Sequence, residues 1–161
     1  MRENFPFHEV LPDFRAAKPA PRSKQPETLK AIIFAEGVQR AARAPENPPI
    51  NLPAMKANKK DSIESFALKM RNYLMISLDD QKRARNASDF YVQCRKKIED
   101  QGIFVLHESF PSEDGSGFCL AHPSDPVIVI NTKNQSRGRR LFTLIHELAH
   151  VLLGKSGISD P

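Results

Sequence analysis

Cysteine is scarce in this chain: Cys94 and Cys119 are the only two in 161 residues, and neither belongs to a paired metal spacing. A disulfide framework and a cysteine-based zinc knuckle are thereby excluded, and both thiols are expected to be reduced. No apolar run approaches the ~20 residues that a bilayer crossing requires. The start, MRENFPFHEV, also lacks the apolar stretch of a secretory signal. These absences predict a soluble, cytoplasmic protein with no membrane partner. No internal repeat is present. Glycine is nearly missing from the first hundred residues, since six of seven lie at or after Gly102, whereas nine of thirteen prolines lie at or before Pro53.

That division organises the chain. The net charge of +5 sits in the first third: residues 1–60 hold 11 Lys+Arg against 6 Asp+Glu, while residues 101–161 hold 5 against 6. Residues 1–54 are therefore read as a proline-rich, basic, largely extended arm, and residues 55–161 as the globular domain. Pro26 and Glu27, with Leu29, Ile32 and Ile33 on one stripe, predict a short helix over about residues 26–43 inside the arm. The arm has no helix-turn-helix pattern and no interleaved aromatics. Direct nucleic-acid binding is accordingly disfavoured against a solubilising or docking role.

The domain begins with helical signals. Asp61 and Glu64 resemble a capping box before Ile63, Phe66, Ala67, Met70 and Leu74. A second, long helix is predicted from about Ser77–Asp80 to Gly102, with Tyr91, Cys94 and Ile98 facing the core. Three short strands follow, at 103–107, 117–121 and 127–131. The last is apolar on both faces, as expected of a strand covered on each side. The expected fold class is α+β, with helices, a small three-stranded sheet and a final helix.

That helix carries His146-Glu147-Leu148-Ala149-His150. Two imidazoles four residues apart share a helix face and can hold one Zn²⁺, and a glutamate beside the first can take a proton from the attacking water. Zinc would also polarise a scissile carbonyl, which is the logic of metal-assisted amide hydrolysis. At ~100° per residue, Leu141, Leu144, Ile145, Leu148 and Leu152 form an apolar stripe. The same wheel places His146, Glu147 and His150 on the opposite, outward side. Thr143 and Gly154 share that side and are small enough to leave room for a metal or a substrate. Arg139 and Arg140 are read as a solvated face, with substrate contact or neutralisation of the preceding strand end as alternatives.

The run from Pro126 to Asn131, followed by Gly138-Arg-Arg-Leu-Phe-Thr-Leu-Ile-His-Glu-Leu-Ala-His-Val-Leu-Leu-Gly154 and Ser156–Asp160, resembles the ImmA/IrrE family of metallopeptidases. Ile98–Val105, Gly117–Leu120 and, more loosely, Leu11–Arg15 are similar to further segments of that family. The resemblance implies a zincin-like minimal peptidase domain and a zinc-dependent endopeptidase, with His146 and His150 as metal ligands and Glu147 as general base. Its substrate would be a protein, such as a transcriptional repressor of the helix-turn-helix type. The family also uses a glutamate on a later helix as third ligand, and no glutamate follows His150 here. The domain would then be incomplete at its C-terminus. Alternatively Asp160, His122, His107 or a partner chain would supply the ligand, Asp160 being preferred within the chain. An inactive relative acting as a binding or regulatory module is the competing expectation.

Overall fold

The computed structural model describes residues 24–43, 52 and 62–159. Its centre is β3 (Val127–Asn131), every residue of which is buried. Val127 and Val129 point to one face of the sheet, and Ile128 and Ile130 to the other. β3 pairs in parallel with β1 (Phe104–Glu108) and antiparallel with β2 (Gly117–Leu120). A fourth strand, β4 (Gly157–Ser159), pairs antiparallel with the outer edge of β2. The sheet order is thus β1-β3-β2-β4. The expected three-stranded sheet is extended by one strand because the chain turns sharply after the last helix.

Both faces of the sheet are covered. On one lie α4 (Ala87–Glu99) and α5 (Arg137–Leu152), packed around Val105, Cys119, Ile128 and Ile130. On the other lies α1 (Pro26–Ala42), against Phe118, Val127 and Val129. The helix expected near residues 26–43 therefore forms and supplies the second cover of β3. Its buried side is Thr28, Ala31 and Ala35, whereas Leu29 and Ile33 are exposed. Small side chains allow the close approach to β3, Ile32 and Val38 pack partly buried at its margin, and Leu29, Ile33 and Phe34 are turned outward.

α1 is capped from a distance. Gln25 precedes it without a side-chain cap of its own. The carboxylate of Asp114, in a 3₁₀ turn over Ser112–Asp114, accepts from the Gln25 backbone N–H at 2.8 Å and from the Thr28 hydroxyl at 2.5 Å. A negative group at a helix N-terminus satisfies orphan donors and favours the dipole. At the other end, Gln39 donates to the carbonyls of Leu120 and Asp125, and Arg43 pairs with the Asp125 carboxylate at 3.2 Å.

Two helix boundaries differ from expectation. The long second helix is two: α3 (Leu78–Arg83), opened by a Ser77–Asp80 capping box, and then α4. Between them Ala84 is extended, Asn86 Oδ1 accepts from the N–H groups of Ser88 and Asp89, and Asp89 takes the Arg85 N–H. These local bonds offer the backbone an alternative to continuous helix. α2 (Ile63–Tyr73) is capped by Ser62, whose hydroxyl accepts from Ser65 N–H, rather than by Asp61, which lies outside the described residues. Among the described residues no helix is long and apolar enough to cross a membrane.

Asp114→Ala removes both bonds that hold the start of α1. It is expected to cost about 1–3 kcal/mol for the buried donors left unmatched. Urea unfolding checks this, and an unchanged midpoint would show that α1 does not depend on the contact.

Candidate metal and catalytic site

α5 is delimited by its own sequence. Ser136 Oγ accepts from Arg139 N–H at its start. At its end Gly154 takes φ 68°, with Gly154 N–H bonded to Val151 O and Lys155 N–H to His150 O. This left-handed cap reverses the chain and delivers β4 to the edge of β2. Gly154 thus terminates the helix, and the space beside it is open.

His146 and His150 lie one turn apart with their Nε2 atoms 3.0 Å from each other and their rings at 69°. Two nitrogens held at ~2.05 Å on a tetrahedral zinc would stand ~3.3 Å apart, so the pair is nearly in chelating position. His146 is exposed and His150 half-buried. Burial, followed by the neighbouring His146 and Lys155, pushes the His150 pKa down and favours the neutral imidazole that binds metals.

Glu147 departs from the wheel. It is fully buried, as is Thr143, although both were placed on the outward side. The cause is β2. A Cβ added to Gly117 would lie 2.7 Å from Thr143 Cγ2 and 3.6 Å from Glu147 Cγ, so α5 presses its polar flank against a strand position that has no side chain. Two residues along the same face, the Cys119 thiol donates to Lys155 O at 3.3 Å, and the nearby Glu147 carboxylate helps to keep that thiol protonated. α5 therefore buries two flanks, one on α4 and one on the sheet, and only a narrow sector around the histidines remains open.

The other candidate ligands do not converge here. His107, on β1, faces the Tyr91 hydroxyl at 2.5 Å and Arg95 at 3.2 Å, and its pKa is pushed down by burial and by Arg95. His122 sits 3.2 Å from the Asp125 carboxylate at the far end of β2. Asp160 lies outside the described residues. Among the described residues no group of three His, Cys, Asp or Glu is assembled to hold a metal ion. Arg140 donates to Thr132 O at 2.9 Å just beyond β3, the strand-end alternative rather than a wholly solvated role, while Arg139 is exposed.

Residues 98–160, from the end of α4 through β4, match a peptidase family model described as the IrrE N-terminal-like domain. This segment is similar to the ImmA/IrrE family. Comparison with curated proteins and with solved structures found no match. The ImmA/IrrE relationship is to metallopeptidases, and it covers the sheet and α5 but not α1, α2 or α3.

Three residues of this matched segment escaped the sequence reasoning. Gly117 carried a signal, since glycine within a strand marks close backbone or side-chain approach. Cys119 carried none, because its contact with Glu147 joins residues 28 positions apart. Asn131, fully buried at the end of β3, exchanges bonds with the Phe110 N–H and carbonyl and also reaches Gly115 O and Lys133 N–H. It stitches together the loops on either side of the strand that leads to α5.

Gly117→Ala is expected to destabilise the fold by about 1–3 kcal/mol through overpacking, measured as a lower urea midpoint. Its added methyl would meet Val129 O at 2.7 Å as well as Thr143, so simple rotamer change cannot relieve it. Burial pushes the Cys94 thiol up to about 11 and, with the Glu147 carboxylate, holds Cys119 well above the usual thiol range. Both stay protonated at about pH 8, so native protein should resist thiol reagents that modify both cysteines after unfolding. Rapid modification of the native protein would contradict this burial.

Proposed function

We propose that this chain is a zinc-dependent endopeptidase hydrolysing a peptide bond of a protein substrate, a helix-turn-helix repressor being the substrate class that the family resemblance favours. The single observation that carries the reading is the facing Nε2 pair of His146 and His150 beside the Glu147 carboxylate on one helix. The donor set fits zinc: two imidazoles, one of them held neutral by its surroundings, and a spacing close to that of adjacent tetrahedral ligands. Bound zinc would supply Lewis-acid polarisation of the scissile carbonyl and lower the pKa of water.

The protein's own groups perform the rest. Glu147, enclosed beneath β2 with its side chain against Gly117, accepts the proton of the attacking water at a carboxylate oxygen and returns it to the leaving amine. The backing of α5 by α4 and β2 fixes the helix backbone from which the two imidazoles project. A substrate approaches from the His146 side, which is the open one.

The second reading is a catalytically silent relative that acts as a binding or regulatory module. It is favoured by the two-member histidine set found among the described residues, because catalytic zinc sites ordinarily have three protein ligands. Metal analysis separates the two. The endopeptidase reading expects one zinc per chain, lost in His146→Ala, and a fall of about 10²–10⁴ in kcat/KM for Glu147→Gln with zinc retained. A protein without stoichiometric zinc, or cleavage unchanged in Glu147→Gln, would overturn it.

A further inference from the structure

The first turn of α5 is electrostatically reversed. It contains Arg137, Arg139 and Arg140 and no acidic residue, although the positive end of the helix dipole favours anions there. Arg140 is accounted for by its bond to Thr132 O. Arg137 and Arg139 are exposed and make no ion pair among the described residues. The helix start thus concentrates positive charge without internal compensation.

The position of Arg139 on the helix is informative. At ~100° per residue, Arg139, Phe142, His146 and His150 fall within a sector of roughly 80°. That sector is the part of α5 left uncovered by α4 and β2. Phe142 is 70% exposed, and its ring stands 5.8 Å from that of His146 at a tilt of 34°. A large aromatic side chain held in solvent against one of the two metal-site imidazoles is a surface for another molecule to cover. The open row therefore reads, from the helix start, cation, aromatic ring, imidazole pair.

Resting on the endopeptidase reading, we infer that this row selects a peptide lying along α5, with Phe142 covered by its backbone or an apolar side chain and Arg139 paired to an acidic side chain. The spacing sets where that acid falls. Arg139 and His146 are seven positions apart, ~10 Å along the axis at ~1.5 Å per residue. An extended peptide covers that distance in about three residues at ~3.3 Å each. The acidic residue thus lies about three positions from the bond over the histidines, on the side toward the helix start.

Zinc-treated full-length Glu147→Gln protein tests this with fluorescent decapeptides that differ only in Glu, Ala or Lys, placed three positions before or after the central bond. At low salt the Glu peptide should bind about tenfold tighter than the Lys peptide in one of the two placements, and added salt should weaken the difference. Arg139→Glu should reverse that ranking, and Arg139→Gln should abolish it. Since Arg139 is exposed and a carboxylate suits a helix N-terminus, neither variant should lower thermal stability. An unchanged ranking in Arg139→Glu, or no peptide binding, would overturn the inference. So would displacement of the peptide by an equal concentration of short single-stranded nucleic acid, which would mark a phosphate-binding surface instead. Charge selection without zinc or cleavage would leave the inference standing and remove the endopeptidase reading. Glu147-dependent cleavage by the wild type without charge selection would do the reverse.

Discussion

The approach of α5 to β2 at Gly117 is the contact on which the candidate site depends. β2 is held from both sides, by β3 through the Gly117↔Ile130 and Cys119↔Ile128 pairs and by β4 through Cys119↔Gly157. It cannot yield to a side chain pressed against it, so the space beside Thr143 and Glu147 exists only because position 117 has none. A helix seated this closely has two buried flanks, and the remaining sector carries the histidine pair. The same approach takes Glu147 out of bulk water and brings it to the Cys119 thiol. Position, enclosure and orientation of Glu147 thus follow from one steric fact.

The sheet that backs this contact depends in turn on being covered twice. β3 is buried along its whole length, which a single layer of helices cannot achieve. α4 and α5 provide one cover, and α1, drawn from the proline-rich first third of the chain, provides the other. α1 is attached by polar bonds at both ends, to Asp114 at its start and to Leu120 and Asp125 at its finish. These loops flank β2, so docking of α1 on the rear face also fixes the strand that meets Glu147 on the front. The match to the IrrE N-terminal-like domain begins only at residue 98, which leaves this rear cover outside the matched segment.

α5 combines three roles that ordinarily compete. Its apolar stripe joins the core, its Thr143–Glu147 flank fits against a strand, and its open row presents an arginine, a phenylalanine and two histidines to solvent. Neither a basic first turn nor an exposed Phe142 is explained by packing. Their alignment with the imidazole pair gives both a common orientation toward whatever approaches the site.

The sequence alone was sufficient wherever the cause is local. The α5 histidine spacing, the turn that separates β2 from β3, the β-branched run of β3 and the helix begun by Pro26 all follow from contacts within a few residues. It also announced the two-sided burial of β3. What it misjudged required distance information. A helical wheel knows one apolar stripe and therefore placed Thr143 and Glu147 outward. Only packing against Gly117, 26 and 30 residues away in the chain, turned them inward. β4 was illegible because three residues after a helix cap become a strand only when the exposed edge of β2 lies within reach. The residue types for the chemistry were thus written in the chain, while tertiary structure decided which of them are enclosed, since burial depends on elements that meet only in the folded state.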